Sequence, residues 1–322
     1  MRAVALLLLL LPAIAVAAKK EDRRALAEQI AKEQGLDVAV VEPVLARAEY
    51  KQAIIDAITR PAEAKPWSAY RPIFLTPNRI RDGRAFLAQH KAALSRVEQE
   101  TGVPAEVIVA IIGVETNFGR NGGSYRVLDA LYTLGVHYPP RQTFFRSELS
   151  QLFKLAQEEK LDLLNLKGSY AGAMGWGQFM PSSYRNYARD GDGDGRRDLF
   201  NSLPDVFASI ANYFVAHGWK AGEPVVVPAV RDADAEDFRP PSLEPKLPLA
   251  ELGNRGYRPR YALGHDLGAT LLSLDGQAGP EYWIGFNNFY VISRYNRSAL
   301  YSLAVFQLAE EIAEREAIAS VP

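Results

Sequence analysis

Between Val107 and Val114 the chain reads Val-Ile-Val-Ala-Ile-Ile-Gly-Val, and wound as a helix this stretch offers water no polar face. A helix that is apolar all round has to be enclosed by other elements, so the fold must form a core with this segment inside it. Pro104 suits the first turn of such a helix. The helix is expected to end near Gly119, with Glu115 on its last turn. A chain of 322 residues and 48% hydrophobic composition can enclose it within one large domain or within two or three smaller lobes.

The flanking pattern predicts what does the enclosing. Glu21 to Gly35, Val40 to Ile58 and Asn78 to Gly102 carry apolar residues at three- and four-residue spacings with charged faces between, as amphipathic helices do. Pro61, Pro66, Pro72 and Pro77 predict a surface connector between the second and the third. Further helices are expected at Thr143 to Lys160, Pro204 to His217 and Ser298 to Ala319. From Gly222 to Ile292 the pattern changes to short β-type runs, Val225 to Val227, Tyr282 to Ile284 and Phe289 to Ile292, set among proline and glycine turns. The expected class is therefore mainly α (α+β). The expected order is an N-terminal helical lobe (18–77), a core (78–221), a small β-rich lobe (222–292) and a C-terminal helix returning to the core (293–322).

Residues 1–17 have the form of a secretory signal peptide. Arg2 gives a positive start, Leu6 to Leu11 an apolar centre, and Ala15-Val16-Ala17 a small-x-small cleavage site. The apolar stretch is shorter than the roughly 20 residues a bilayer span needs, and Lys19, Lys20, Glu21 and Asp22 follow at once. The chain has no cysteine, which excludes disulfides, thiolate zinc sites, cysteine nucleophiles and a lipidated cysteine anchor. A soluble, extracytoplasmic protein held together by core burial is the expectation. The formal net charge of -1 gives no electrostatic case for nucleic acid, and the basic cluster Arg255 to Arg260 reads as solvated loop charge or as contact with an anionic surface.

The candidate chemistry starts at Glu115. A carboxylate at the end of an apolar helix is partly desolvated, which raises its pKa and keeps a proton available near neutral pH. On its own, a helix-end glutamate reads equally as a solvated or capping residue. Its neighbours favour a cleft: Thr116, Asn117, Phe118 and Gly119 follow it, and Gly122, Gly123 and Ser124 continue into a loop able to turn over an open groove. A second constellation runs from Gly168 to Pro181, where four glycines allow backbone to approach a ligand closely. There Ser169 and Gln178 can hydrogen-bond sugar hydroxyls or acetamido groups, while Trp176 and Phe179 read either as flat apolar faces or as core packing.

A third constellation, Asp190-Gly191-Asp192-Gly193-Asp194-Gly195-Arg196-Arg197-Asp198, matches the first half of an EF-hand loop. Acids stand at positions one, three, five and nine, and Arg196 at position seven. Position twelve is Asn201 and not the usual bidentate glutamate, so either Asn201 or Asp205 just beyond is left to complete the shell. Metal-free Asp/Gly turns have the same composition. The chain contains no H-E-x-x-H zinc helix, no G-x-S-x-G nucleophile elbow and no Walker loop. His137, His217 and His265 are scattered and read as structural, and Arg141 reads either as a contact for peptide carboxylates or as a helix-entry ion pair.

Four motifs in order, Ile112-Gly113-Val114-Glu115-Thr116, Leu128-Asp129-Ala130-Leu131, Asn165-Leu166-Lys167-Gly168-Ser169 and Gln178-Phe179-Met180-Pro181-Ser182-Ser183, resemble the lytic murein transglycosylases of the membrane-bound B type, members of a lysozyme-like superfamily. The match covers about Pro104 to Trp219 and continues more weakly to Tyr295-Asn296-Arg297-Ser298 and Tyr301. The resemblance implies a lysozyme-like catalytic core, with Glu115 as the catalytic glutamate and Ser169, Gln178, Phe179, Tyr213, Tyr295, Asn296 and Tyr301 lining the glycan groove. It also implies a structural calcium in the acidic loop, held by Asp190, Asp192, Asp194, Arg196 and Asp205, with no cofactor for catalysis. The expected partner is peptidoglycan, acted on by a monomer in the periplasm, with cell-wall synthesis or remodelling machinery as the class of protein partner. Two other readings remain at this point: a hydrolytic muramidase using the same glutamate, and a catalytically silent glycan-binding module.

Overall fold

The structure is a computed structural model that describes residues 11–60, 65–263 and 267–313, with side chains from Arg23 onward. Residues 1–10 of the signal-peptide motif, His265 and positions 314–319 of the expected last helix lie outside the described residues. In chain order the elements are α1 (Leu11–Gln34), α2 (Val38–Leu45), α3 (Gln52–Ile58), α4 (Trp67–Phe74), α5 (Pro77–Gln89), α6 (Lys91–Thr101), α7 (Ala105–Thr116), β1 (Tyr125–Arg126), α8 (Val127–His137), α9 (Gln142–Glu159), β2 (Lys167–Gly168), α10 (Pro181–Tyr187) and α11 (Leu203–Ala216). They continue with β3 (Val226–Arg231), β4 (Leu247–Pro248), α12 (Leu249–Asn254), β5 (Tyr257–Pro259), β6 (Gly268–Asp275), β7 (Pro280–Gly285), α13 (Asn287–Tyr295) and α14 (Ala299–Ile312). The class is mainly α with one small sheet.

The chain forms two compact units. The first comprises the described residues up to Arg60 with Gly123–Met174 and Gln178–Asn186; the second comprises those of Pro61–Gly122, Gly175–Gly177 and the remainder from Tyr187. In the first, α8 and α9 pack against each other, α1 lies on α9, and the short β1 and β2 pair antiparallel.

In the second unit α7 is enclosed by α5, α6, α11 and α14, and Val107 to Gly113 are all buried. This is the environment its apolar circumference demands. Neighbouring helices start on side-chain caps: Thr76 receives the Arg79 amide before Pro77 opens α5, and Ser202 and Ser298 cap α11 and α14. The sheet has the order β4-β6-β7-β3-β5 with antiparallel pairs. Both of its faces are covered, because side chains alternate along a strand: Val226, Leu272 and Trp283 pack with Trp67, Phe289 and Leu303 on one side, while Val227, Leu271 and Ile284 pack with Leu252 and Tyr257 on the other.

Four local expectations need correction. The helix expected over Val40 to Ile58 is two, because the intervening turn is claimed by buried polar groups of α8: the Glu49 amide donates to Asp129 and the Lys51 amide to Thr133. Asn78 to Gly102 is likewise two helices, parted at His90, whose φ of -109° leaves the helical range. The proline-rich connector contains α4, with Trp67 buried at its start. Phe289 to Ile292 is helix and not strand, since α13 is seeded by buried Asn288, which accepts from the Lys220 amide and donates to the Lys220 and Glu223 carbonyls. A four-residue apolar run reads the same in either state; the anchoring of Asn288 decides it.

Candidate active site

Helix α7 ends because Asn117 and Phe118 both take left-handed backbone angles, with φ of 49° and 57°. The stop leaves Glu115 on the final turn, where the helix dipole is negative and repels a carboxylate charge. The side chain is half-buried, and its Oε1 accepts a hydrogen bond of 2.6 Å from the hydroxyl of Tyr301 in α14. Burial pushes the Glu115 pKa up from 4.5 to about 7, and the Tyr301 hydrogen bond opposes part of that rise. Tyr301 is itself almost completely buried, and burial together with the Glu115 charge pushes its phenol well above the usual tyrosine range. It can therefore donate its hydrogen bond at any working pH without ionising.

Tyr295, at the end of α13, has a phenol raised in the same way by burial and by Glu115, but its hydroxyl donates 2.6 Å to the carbonyl of Gly177. Its ring meets Tyr213 edge-on at 4.8 Å. Tyr213 in turn donates to the Arg294 carbonyl and stacks on His217 at 4.1 Å, which fixes its plane. Asn296 follows α13 in extended conformation with its side chain exposed. Glu115, Tyr301, Tyr295 and Tyr213 thus belong to one connected arrangement in the second unit.

In the first unit, Ser169 organises a tight turn. Its carbonyl accepts from the Gly172 amide, and its Oγ accepts from the amides of Ala171 and Ala173. Both oxygen lone pairs are then used, which leaves the hydroxyl proton as the group's remaining hydrogen-bonding capacity. Phe179 is buried and pairs its backbone with Met174 in an antiparallel bridge. Gln178, between them, holds a φ of 50°. Glycines expected to admit a ligand also answer to packing within the protein: a Cβ on Gly168 would lie 2.3 Å from the Ala173 oxygen, and one on Gly175 would lie 2.7 Å from the Leu199 oxygen. The Trp176 indole is tied to the Phe200 carbonyl and packs near Phe86, so packing accounts for its ring. Arg141 stacks over Phe144 and Phe145 at 4.4 and 5.0 Å, and its charge also acts on Glu148 of α9.

The acidic loop gathers three carboxylates. Asp190, Asp192 and Asp194 are exposed and each brings an oxygen within 4.8 Å of the others. Backbone amides of Gly193, Asp194 and Gly195 converge on Asp190 and hold its pKa below the ordinary carboxylate value. Asp205 is placed differently: it is fully buried and spends one oxygen on the Gly191 amide and the other on the Asp198 amide, bracing the loop from beneath. Asn201 donates to the Asp198 carboxylate.

Residues 18–310 match the family model described as the transglycosylase SLT domain. The chain belongs to this family. It is 41% identical over 296 residues to the membrane-bound lytic murein transglycosylase B of Escherichia coli K12, a match spanning 89% of the chain and 81% of that relative. Among solved structures, the catenated lytic transglycosylase SltB1 of Pseudomonas aeruginosa is 49% identical with a TM-score of 0.86, over 91% of this chain and 97% of that one. Escherichia coli Slt35 in complex with calcium is 41% identical with a TM-score of 0.83, over 91% and 92%. The protein is accordingly a lytic transglycosylase, a lyase that degrades peptidoglycan with formation of anhydromuramoyl products.

Sequence reading did not find two parts of the site. The Thr116 hydroxyl, fully buried one residue beyond Glu115, lies 3.1 Å from the Trp176 carbonyl and 3.2 Å from the Ile112 carbonyl of its own helix, and it accepts from the Gly119 amide. The Gly177 carbonyl is the acceptor for Tyr295. Neither carries a local signal, because the turn back to Ile112 is what a helix-end threonine ordinarily makes and a backbone carbonyl is present at every position.

Proposed function

We propose that Glu115 is the single acid and base of the lytic reaction. The observation that carries this reading is a half-buried carboxyl whose proton is held to about pH 7, next to a tyrosine that stays protonated. Protonated Glu115 donates to the oxygen joining N-acetylmuramic acid to N-acetylglucosamine. The C1–oxygen bond breaks, and the substrate's own N-acetyl group stabilises the oxocarbenium character at C1. Glu115, now a carboxylate, takes the proton from the muramoyl C6 hydroxyl, and that oxygen bonds to C1 to close the 1,6-anhydro ring. No water is consumed, and Glu115 ends protonated as it began. Tyr301 steadies the carboxylate between the two steps.

Ser169, Gln178, Phe179, Tyr213, Tyr295, Asn296 and Tyr301 are proposed to line the glycan groove; the free hydroxyl proton of Ser169 supports this for that residue. The loop of Asp190, Asp192 and Asp194 suits a hard divalent cation, and the calcium complex of Slt35 supports the same assignment. Here calcium would neutralise the gathered carboxylates, held by those three residues with the Arg196 backbone carbonyl, and Asp205 acts as a brace beneath the loop. Export to the periplasm through the 1–17 motif, action as a monomer and recruitment by cell-wall machinery belong to the same reading. Among the described residues no helix is long and apolar enough to cross a membrane.

Digestion of purified sacculi followed by mass analysis of the muropeptides tests the chemistry. The wild type is expected to release anhydro products and Glu115→Gln to release none. Products that have gained water would establish the muramidase reading, and an active Glu115→Gln would remove Glu115 from the reaction.

A further inference from the structure

Two phenols feel the Glu115 charge, yet only one is hydrogen-bonded to it. Tyr301 donates to the carboxylate, while Tyr295 spends its proton on Gly177. The Gly177 carbonyl belongs to the three-residue segment Gly175–Gly177, which meets the end of α7 through the Trp176 carbonyl. The Trp176 amide donates to the Leu199 carbonyl at 3.0 Å, its indole donates to Phe200 at 3.0 Å, and its carbonyl meets the hydroxyl of Thr116 at 3.1 Å. The next carbonyl along is the one Tyr295 uses. Thr116 is buried and couples this segment directly to the turn of α7 that carries Glu115.

We propose that Thr116 is a positioning residue: by anchoring the Trp176–Gly177 peptides it keeps the Tyr295 hydroxyl committed to the Gly177 carbonyl, so that Glu115 receives one phenolic hydrogen bond and not two. A carboxylate is stabilised by each donor it gains, so a second phenol would release the Glu115 proton at lower pH and leave less acid for glycosidic cleavage. The groups bearing on Glu115 are consistent with this arrangement. Tyr301 comes from α14 and Tyr295 from α13, with Tyr70 of α4 acting on Tyr301 and Tyr213 of α11 acting on Tyr295. Several charged residues of the enclosing helices have other partners: Asp82 of α5 pairs with Arg81 and Arg120, Arg79 and Arg84 reach the Ile73 and Glu311 carbonyls, Arg96 of α6 reaches the Gly191 carbonyl, and Asp205 of α11 accepts from the Gly191 and Asp198 amides.

The inference rests on the reading of Glu115 as the acid, but its test does not depend on turnover. The carboxyl carbon of Glu115, labelled with carbon-13 and assigned by its disappearance in Glu115→Gln, is titrated by NMR. Thr116→Val keeps the shape of the side chain and removes the hydroxyl; its midpoint is expected about one pH unit below wild type. Tyr295→Phe alone is expected to titrate as wild type, and Thr116→Val/Tyr295→Phe to return to the wild-type midpoint. Thr116→Ser, which restores the hydroxyl, is expected to restore the wild-type value. An unchanged or raised midpoint in Thr116→Val overturns the proposal, as does a lowered midpoint that persists in the double variant. Should Thr116→Val not fold, Trp176→Phe unties the indole from Phe200 and takes its place, with the same expected direction and the same overturning results. Loss or survival of activity in Glu115→Gln decides the catalytic reading separately.

Discussion

A carboxyl whose pKa is raised by folding makes the protein less stable as the pH rises, and this gives a measurement of Glu115 that needs no substrate. Between pH 4.5 and 7 the folded protein keeps a proton on Glu115 that the unfolded chain has already released. The native state binds more protons over that interval, so stability falls with rising pH, and the loss is complete above the folded-state value. The interval from 4.5 to about 7, at ~1.4 kcal/mol per pH unit, amounts to about 3 kcal/mol. Solvent contact at the half-buried side chain trims this to about 2–3 kcal/mol. Glu115→Gln has nothing to titrate, and its amide oxygen can still accept from Tyr301. Its stability relative to wild type should therefore grow by about 2–3 kcal/mol between pH 4 and pH 8.5, while every other titrating group cancels in the comparison. Urea unfolding followed by tryptophan fluorescence is the assay, because Trp67, Trp176, Trp219 and Trp283 are all in the unit that contains Glu115. A difference that stays flat across this range would mean that Glu115 titrates like an exposed glutamate, and the desolvation argument would fail.

Two further outcomes follow from the same geometry. Tyr301→Phe removes the hydrogen bond that favours the Glu115 carboxylate, so the basic limb of the kcat/KM profile should move up by about one pH unit; a downward move would contradict the assignment of donor and acceptor. Metal-stripped protein titrated with calcium should gain thermal stability, by about 2.7 kcal/mol at a hundredfold excess over Kd, and Asp192→Ala should lose that gain. A melting temperature indifferent to calcium in the wild type would remove the cation from the acidic loop.

The central helix was legible because an apolar circumference admits one solution, and Val107 to Gly113 are buried on every side. Helix ends marked by Thr76-Pro77 and Ser202 were nearly as plain, since their signals are local. The breaks at Glu49 to Lys51 and at His90 were not, because Asp129 and Thr133 lie some eighty positions away from the amides they satisfy. The site divides in the same way. Glu115 could be singled out from its helix and its neighbours, but the division of labour between Tyr301 and Tyr295 depends on which carbonyl each phenol reaches, and that is a property of the folded chain.

That division bears on why one carboxylate can serve where most glycosidases use two. Donating to the glycosidic oxygen requires the acid form, and accepting from the C6 hydroxyl requires the base form. A glutamate left at 4.5 would be protonated in only about one molecule in 300 at pH 7, placing roughly 3 kcal/mol in front of the first step. One buried without any donor would have the opposite difficulty in the second, with the carboxylate too costly to form. A value of about 7 makes the two forms nearly equal in free energy at neutral pH. Burial at the end of an apolar helix supplies the upward push, and one phenolic donor supplies the restraint. The apolar run from Val107 to Val114 therefore bears on the chemistry as well as the fold, because the burial it imposes extends to the carboxyl on its last turn.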